Sequence, residues 1–117
     1  MASPFVHLEL NTPDLAKAKE FYTGLFGWKF EDMDMGPGGI YSTFKPDTGP
    51  GGGMMAMPDG NPGWLSYVGV EDINVRTEKA KSLGATVCIG PQEIANVGWF
   101  TMITDPTGCT IAMFQPK

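Results

Sequence analysis

His7 is the single histidine of the chain, and Glu9 stands two residues beyond it. In an extended segment this spacing puts an imidazole and a carboxylate on one face, where they could serve as metal ligands, as a general base, or as orienting groups for a bound molecule. A plainer alternative stays open: a polar histidine hydrogen-bonded in a sheet wall and binding nothing, with Glu9 a solvated strand residue. His7, Glu9 and waters would hold a divalent ion only weakly, because tight sites use three or four protein donors. The expectation is therefore no cofactor, with weak metal binding at His7 still allowed. Cys88 and Cys109 lack CxxC spacing and are read as reduced, structural thiols.

The elements that must carry these groups come in two copies. At an offset of 58 residues Asp14 falls on Asp72, Tyr41 on Trp99, Thr43 on Thr101, Phe44 on Met102 and Asp47 on Asp105. The same offset carries His7 onto Leu65. A single domain over 1–117 is expected, with modules near 5–57 and 64–115 joined by the Pro-, Gly- and Asn-containing linker 58–63.

Phe5 to Asn11 alternates as a half-buried strand, Val6, Leu8 and Leu10 on one face and Phe5, His7 and Glu9 on the other. Thr12-Pro13-Asp14 predicts a helix start with Thr12 as the capping oxygen, and Gly27 predicts its stop. Between them Leu15, Ala18, Tyr22 and Leu25 form an apolar stripe. Strands are predicted at 28–34, 40–45 and 53–57. The second copy supplies a strand at 64–70, a helix capped by Asp72 or Asn74 and ended by Gly84, and strands at 85–89, 99–104 and 110–115. Each module reads as βαβββ, an α+β architecture. The glycine run 49–53 lacks the Gly-Lys-Ser/Thr ending of a P-loop and is expected to be a mobile hairpin loop.

Composition narrows the partners. The net charge is −5, without a basic cluster, which argues against nucleic acid and anionic membranes. No run approaches the roughly 18 apolar residues of a membrane span, so a cytoplasmic location is expected. Methionine is frequent, eight of 117, and Met54, Met55 and Met57 fall on one predicted strand where soft side chains would suit either a pocket or a core.

The segments His7-Leu8-Glu9-Leu10, Asp14, Phe21-Tyr22 and Leu25-Phe26-Gly27-Trp28 resemble the opening of proteins in the vicinal oxygen chelate superfamily, which holds glyoxalases, bleomycin-resistance proteins and extradiol dioxygenases. Val70-Glu71-Asp72-Ile73, Leu83-Gly84-Ala85 and Asp105-Pro106-Thr107-Gly108 extend the likeness over almost the whole chain. The resemblance implies paired modules whose sheets curl round a groove, a homodimer, and a small-molecule ligand on the concave side. It also implies metal ligands on the first and fourth strands of each module. Counted along the chain, these slots are His7 and Leu65, then Met54 and Ala112. Leucine, alanine and a thioether are no match for hard divalent ions, so the metal quartet is incomplete.

The expected function is thus that of a metal-independent small-molecule protein with His7 and Glu9 as candidate catalytic residues. Tyr41 and Trp99 would be aromatic walls, and Met54, Leu65, Tyr67, Ala112 and Phe114 further ligand-binding positions. Two alternatives are a metal-dependent lyase, isomerase or dioxygenase completed by Glu9 or Glu93, and a partner-binding module with no ligand.

Overall fold

The computed structural model describes residues 3–36, 39–56 and 62–117. Along the chain they form β1 (Phe5–Thr12), α1 (Leu15–Phe26), β2 (Phe30–Asp34), β3 (Ile40–Phe44), β4 (Gly51–Ala56), β5 (Gly63–Gly69), α2 (Ile73–Ser82), β6 (Thr86–Ile94), β7 (Gly98–Thr104) and β8 (Thr110–Pro116). This is the predicted βαβββ order, twice, in an α+β fold. The chain divides into two compact units, His7–Leu65 and the residues up to Val6 together with Ser66–Lys117.

In the first unit the strands lie in the order β2-β3-β4-β1, with β1 and β4 parallel and the other neighbours antiparallel. Leu10 is level with Met54 and Met54 with Ser42, so these side chains share one face. There Leu10, Phe44 and Met54 are buried against Leu15, Ala18 and Tyr22 of α1. His7, Glu9 and Asn11 point to the opposite face because successive strand residues alternate. Leu25, expected in the helical stripe, is instead 57% exposed. Trp28 lies outside β2, its ring stacked on Phe44 at 4.3 Å between centroids.

Both helices start at an aspartate. The Asp14 carboxylate accepts from Lys17 N at 3.0 Å, and that of Asp72 accepts from Asn74 N and Val75 N at 3.0 and 3.1 Å. The cap expected at Thr12 is corrected: β1 runs through Thr12, whose hydroxyl accepts from Asp14 N one step earlier. Gly27 closes α1 in the left-handed region, at φ 72°, where its N–H reaches Thr23 O.

The second unit repeats the pattern as β5-β8-β7-β6. Val70, Ile73, Ile103 and Met113 form its buried cluster on the α2 side. Each unit also ties its helix to a fully buried hydroxyl on its third strand. In the first, Ser42 Oγ donates to Asp32 at 2.5 Å, and Lys19 of α1 grips the same carboxylate. These two partners hold the Asp32 carboxyl below its ordinary range, Lys19 more than Ser42. In the second, Thr77 of α2 and Thr101 share a hydroxyl contact of 2.9 Å.

Three further expectations change. Gly51 and Gly52 belong to β4 rather than to a loop, because they pair with His7 and Leu8 at close range. A Cβ at Gly52 would stand 2.0 Å from Leu8 O, so only glycine permits this approach. β6 extends to Ile94 and carries register shifts between Val87 and Gln92. Cys88 and Cys109 are both free and exposed rather than packed in the core. Met57 and linker positions 58–61 lie outside the described residues.

Candidate functional site

β1 presents His7, Glu9 and Asn11 at two-residue steps on the face away from α1, level with Gly51, Gly53 and Met55 of β4. Met55 is in turn level with Tyr41 of β3. Two glycines in the middle of this surface leave room, and the Tyr41 side chain takes it. A Cβ added at Gly53 would lie 2.2 Å from Tyr41 Cζ and 2.3 Å from its hydroxyl oxygen.

The Tyr41 hydroxyl lies 2.7 Å from His7 Nε2 and donates to Glu9 Oε1 at 3.2 Å. A phenol has one proton, and a carboxylate only accepts. With Oη–H committed to Glu9, the short contact is a bond donated by His7 Nε2–H to the phenol oxygen, which leaves Nδ1 as the acceptor nitrogen of the ring. Burial pushes the His7 pKa below its ordinary value, favouring the neutral imidazole, the form in which Nδ1 is an acceptor. The two rings lie nearly parallel, 16° apart with centroids 6.3 Å from each other. His7, Tyr41 and Glu9, singled out separately in the sequence, form one hydrogen-bonded group.

The other candidate positions distribute differently. Tyr67 is level with Ala112, Ala112 with Met102, and Phe114 with Phe100, on the sheet face of the second unit away from α2. Leu65 is buried two residues before Tyr67 on the same side of β5. Met54 is not on the His7 face: it is fully buried in the core under α1, and the fourth-strand residue level with Glu9 is Gly53. Trp99 is level with Gln115 and packs on the α2-side cluster, with Lys117 Nζ 4.7 Å above its ring. It is therefore no counterpart of Tyr41.

One cause explains both corrections. The offset is 58 residues at the Asp14 and Asp72 caps, but 59 from Ser42 to Thr101, Phe44 to Ile103 and Met54 to Met113, all buried pairs on the helix-facing sides. The irregular pairing of β6 falls in this interval. One added residue reverses side-chain parity, so Tyr41 corresponds to Phe100 and Ala112 to Gly53.

The donor set does not fit a metal of the kind the family resemblance implies. The corrected slots hold His7, Leu65, Gly53 and Ala112, three of them without a donor atom, and Tyr41 fills the space above Gly53. Among the described residues no three His, Cys, Asp or Glu side chains cluster to hold an ion. Glu93, considered as a substitute ligand, is ion-paired with Lys117.

Residues 5–113 match the model of the Glyoxalase/Bleomycin resistance protein/Dioxygenase superfamily. The chain belongs to this superfamily. Among its relatives, the Mycobacterium tuberculosis protein named "Putative glyoxylase CFP32" is 33% identical over 114 residues, 92% of this chain and 44% of that protein. The anthracycline biosynthesis protein DnrV of Streptomyces peucetius is 29% identical over 127 residues, 92% of this chain and 45% of that protein. The chain thus spans less than half the length of these curated relatives. Among solved structures, methylmalonyl-CoA epimerase from Mycobacterium tuberculosis superposes with a TM-score of 0.74 at 17% identity, covering 97% of this chain and 87% of that one. The hypothetical protein BH1468 from Bacillus halodurans C-125 gives 0.80 at 14%, covering 100% and 96%. At these identities the structural likeness speaks for the superfamily fold alone. No helix among the described residues is long and apolar enough to cross a membrane.

Sequence reasoning passed over Gly53 and Asn11. The signal for Asn11 was its place two residues beyond Glu9 at the strand period. For Gly53 it was a glycine run directly before the methionines, short enough to belong to the strand.

Proposed function

We propose that this chain is a small-molecule-binding module of the glyoxalase and bleomycin-resistance superfamily that works without a metal ion, with His7, Tyr41 and Glu9 as its polar centre. The observation that carries the reading is the Tyr41 hydroxyl, packed over Gly53 and joined to both His7 and Glu9. A side chain on β4 at position 53 would displace this phenol. The superfamily scaffold therefore presents a connected imidazole, phenol and carboxylate where a fourth-strand ligand would otherwise stand.

Such a group binds and orients, and it can also move a proton. The His7 imidazole can accept a proton from a bound molecule, and the imidazolium so formed is joined through the Tyr41 hydroxyl to the Glu9 carboxylate, which stabilises it. The names of the relatives, a glyoxylase and an anthracycline biosynthesis protein, agree with work on small molecules. In the same proposal the chain assembles as a homodimer. Phe21, Leu25 and Phe26 on α1 are each more than half exposed, and apolar area of this kind favours association. Light scattering coupled to size exclusion tests the assembly, and a monomeric mass over the micromolar range overturns it.

The central test combines two measurements on protein purified without chelator or affinity tag. Elemental analysis is expected to find no stoichiometric divalent ion. A fragment library followed by protein NMR is expected to perturb the His7 and Tyr41 signals. A bound ion at one per chain, lost in His7→Ala, would overturn the metal-independent reading.

A further inference from the structure

The face that carries His7 and Glu9 holds one more polar group whose chemistry is incomplete. Asn11 Oδ1 is buried and has no hydrogen-bond partner, the one such side-chain atom among the described residues. Burying an amide oxygen without a partner is unfavourable, and a hydrogen bond from a ligand donor would offset that cost. Asn11 as a residue keeps part of its surface open. Rotation of its terminal amide is a soft torsion, which can turn the oxygen toward an incoming group.

We propose that Asn11 is a specificity-determining residue of this site, its Oδ1 accepting a hydrogen bond from an O–H or N–H group of the ligand. The inference rests on the proposed binding function and adds a ligand class to it. Along β1 the order is His7, Glu9, Asn11, and Met55 lies between Asn11 and Tyr41 in the cross-strand register. A molecule on this surface meets the Tyr41 ring and the Met55 thioether as an apolar wall and Asn11 as an acceptor. An amide oxygen and a chain of net charge −5 select donors and disfavour anions. The ligand is therefore a neutral or cationic small molecule with a flat or apolar body and at least one hydroxyl or amine.

The test uses three probes with the full chain: benzyl alcohol, benzyl methyl ether, which lacks the donor, and benzylamine, which is cationic at neutral pH. Affinities are read from NMR titration of the backbone amides of residues 7, 9 and 41. In the native protein benzyl alcohol is expected to bind about tenfold more tightly than its methyl ether, the worth of one hydrogen bond. Asn11→Leu is expected to reduce that ratio to near one and leave the ether unchanged. Asn11→Asp keeps an acceptor and adds charge, so it should retain the ratio and tighten benzylamine about tenfold. A ratio that persists in Asn11→Leu overturns the assignment, as it would if a resident water already satisfied Oδ1, and leaves the binding function standing. Unchanged benzylamine affinity in Asn11→Asp overturns it as well, and this variant decides the matter if Asn11→Leu does not fold. If no probe moves the signals of residues 7, 9 and 41, the inference and the binding function on which it rests fall together.

Discussion

Tyr41 and Gly53 occupy each other's space: the phenol of one stands where the side chain of the other would be, 2.2 Å from a Cβ built on Gly53. Gly53→Ala must therefore push Tyr41 aside. Overpacking of this kind costs about 1–3 kcal/mol. Because the phenol is also the link between His7 and Glu9, the same substitution should shift the His7 imidazole resonances. Gly52→Ala is expected to cost more, since its Cβ would meet the backbone oxygen of Leu8 at 2.0 Å and a strand cannot swing away as a ring can. Urea unfolding of the two variants checks the order, and equal stability of Gly53→Ala and the native chain would contradict the packing described.

Tyr41→Phe separates the ring from its hydroxyl. The ring still covers Gly53, but His7 Nε2 and Glu9 lose their shared partner. A loss of about 1 kcal/mol is expected, the ordinary net worth of a hydrogen bond. The sharper readout is the imidazole tautomer, measured by nitrogen chemical shifts. Without the phenol oxygen to receive it, the proton at Nε2 loses an acceptor, and the tautomer ratio should shift from that of the native chain.

The pH dependence of stability follows from His7. Burial lowers its folded pKa below the ordinary value near 6.5, which the unfolded chain keeps. Above 6.5 both states carry a neutral ring, and His7 adds no slope. As pH falls below 6.5 the unfolded chain takes up a proton that the folded chain refuses, so stability declines until the folded pKa is passed and is then level. Unfolding free energies between pH 8 and pH 5 should show this decline in the native chain. His7→Gln should remove the part that other groups do not supply.

The strand and helix order was legible because each unit announces itself locally: the alternation of β1, the aspartates at 14 and 72, and glycines where helices stop. The first-strand face was legible for the same reason, and with it the pairing of His7 and Glu9. Side-chain direction on the later strands was not. Matching residue types, tyrosine with tryptophan and threonine with threonine, supported an offset of 58, whereas the buried pairs obey 59. One residue of difference leaves the composition almost unchanged but reverses side-chain parity, so an offset of 58 puts Met54 and Trp99 on the wrong face. The Tyr41 contact was out of reach as well, because it depends on what a glycine on another strand leaves open.

The buried hydroxyl on the third strand of each unit makes a last prediction, and the two units should answer differently. In the second unit Thr77 Oγ1 donates to Ile73 O at 2.6 Å within α2 while lying 2.9 Å from Thr101 Oγ1. Since the Thr77 proton goes to its own helix, the contact between the hydroxyls is donated by Thr101. Thr77→Val leaves the Thr101 hydroxyl buried without that acceptor, which should cost about 1–3 kcal/mol. Thr101→Val removes the dependent donor and keeps the volume, so its cost should be smaller, about 1 kcal/mol. Changing both is expected to cost less than the two changes separately, with a coupling of about 1 kcal/mol in a double-mutant cycle. In the first unit Ser42→Ala leaves Asp32 held by Lys19, so no charge is orphaned and the loss should be about 1 kcal/mol. Strict additivity of the two threonine changes would mean that the contact seen between their hydroxyls contributes nothing to the fold.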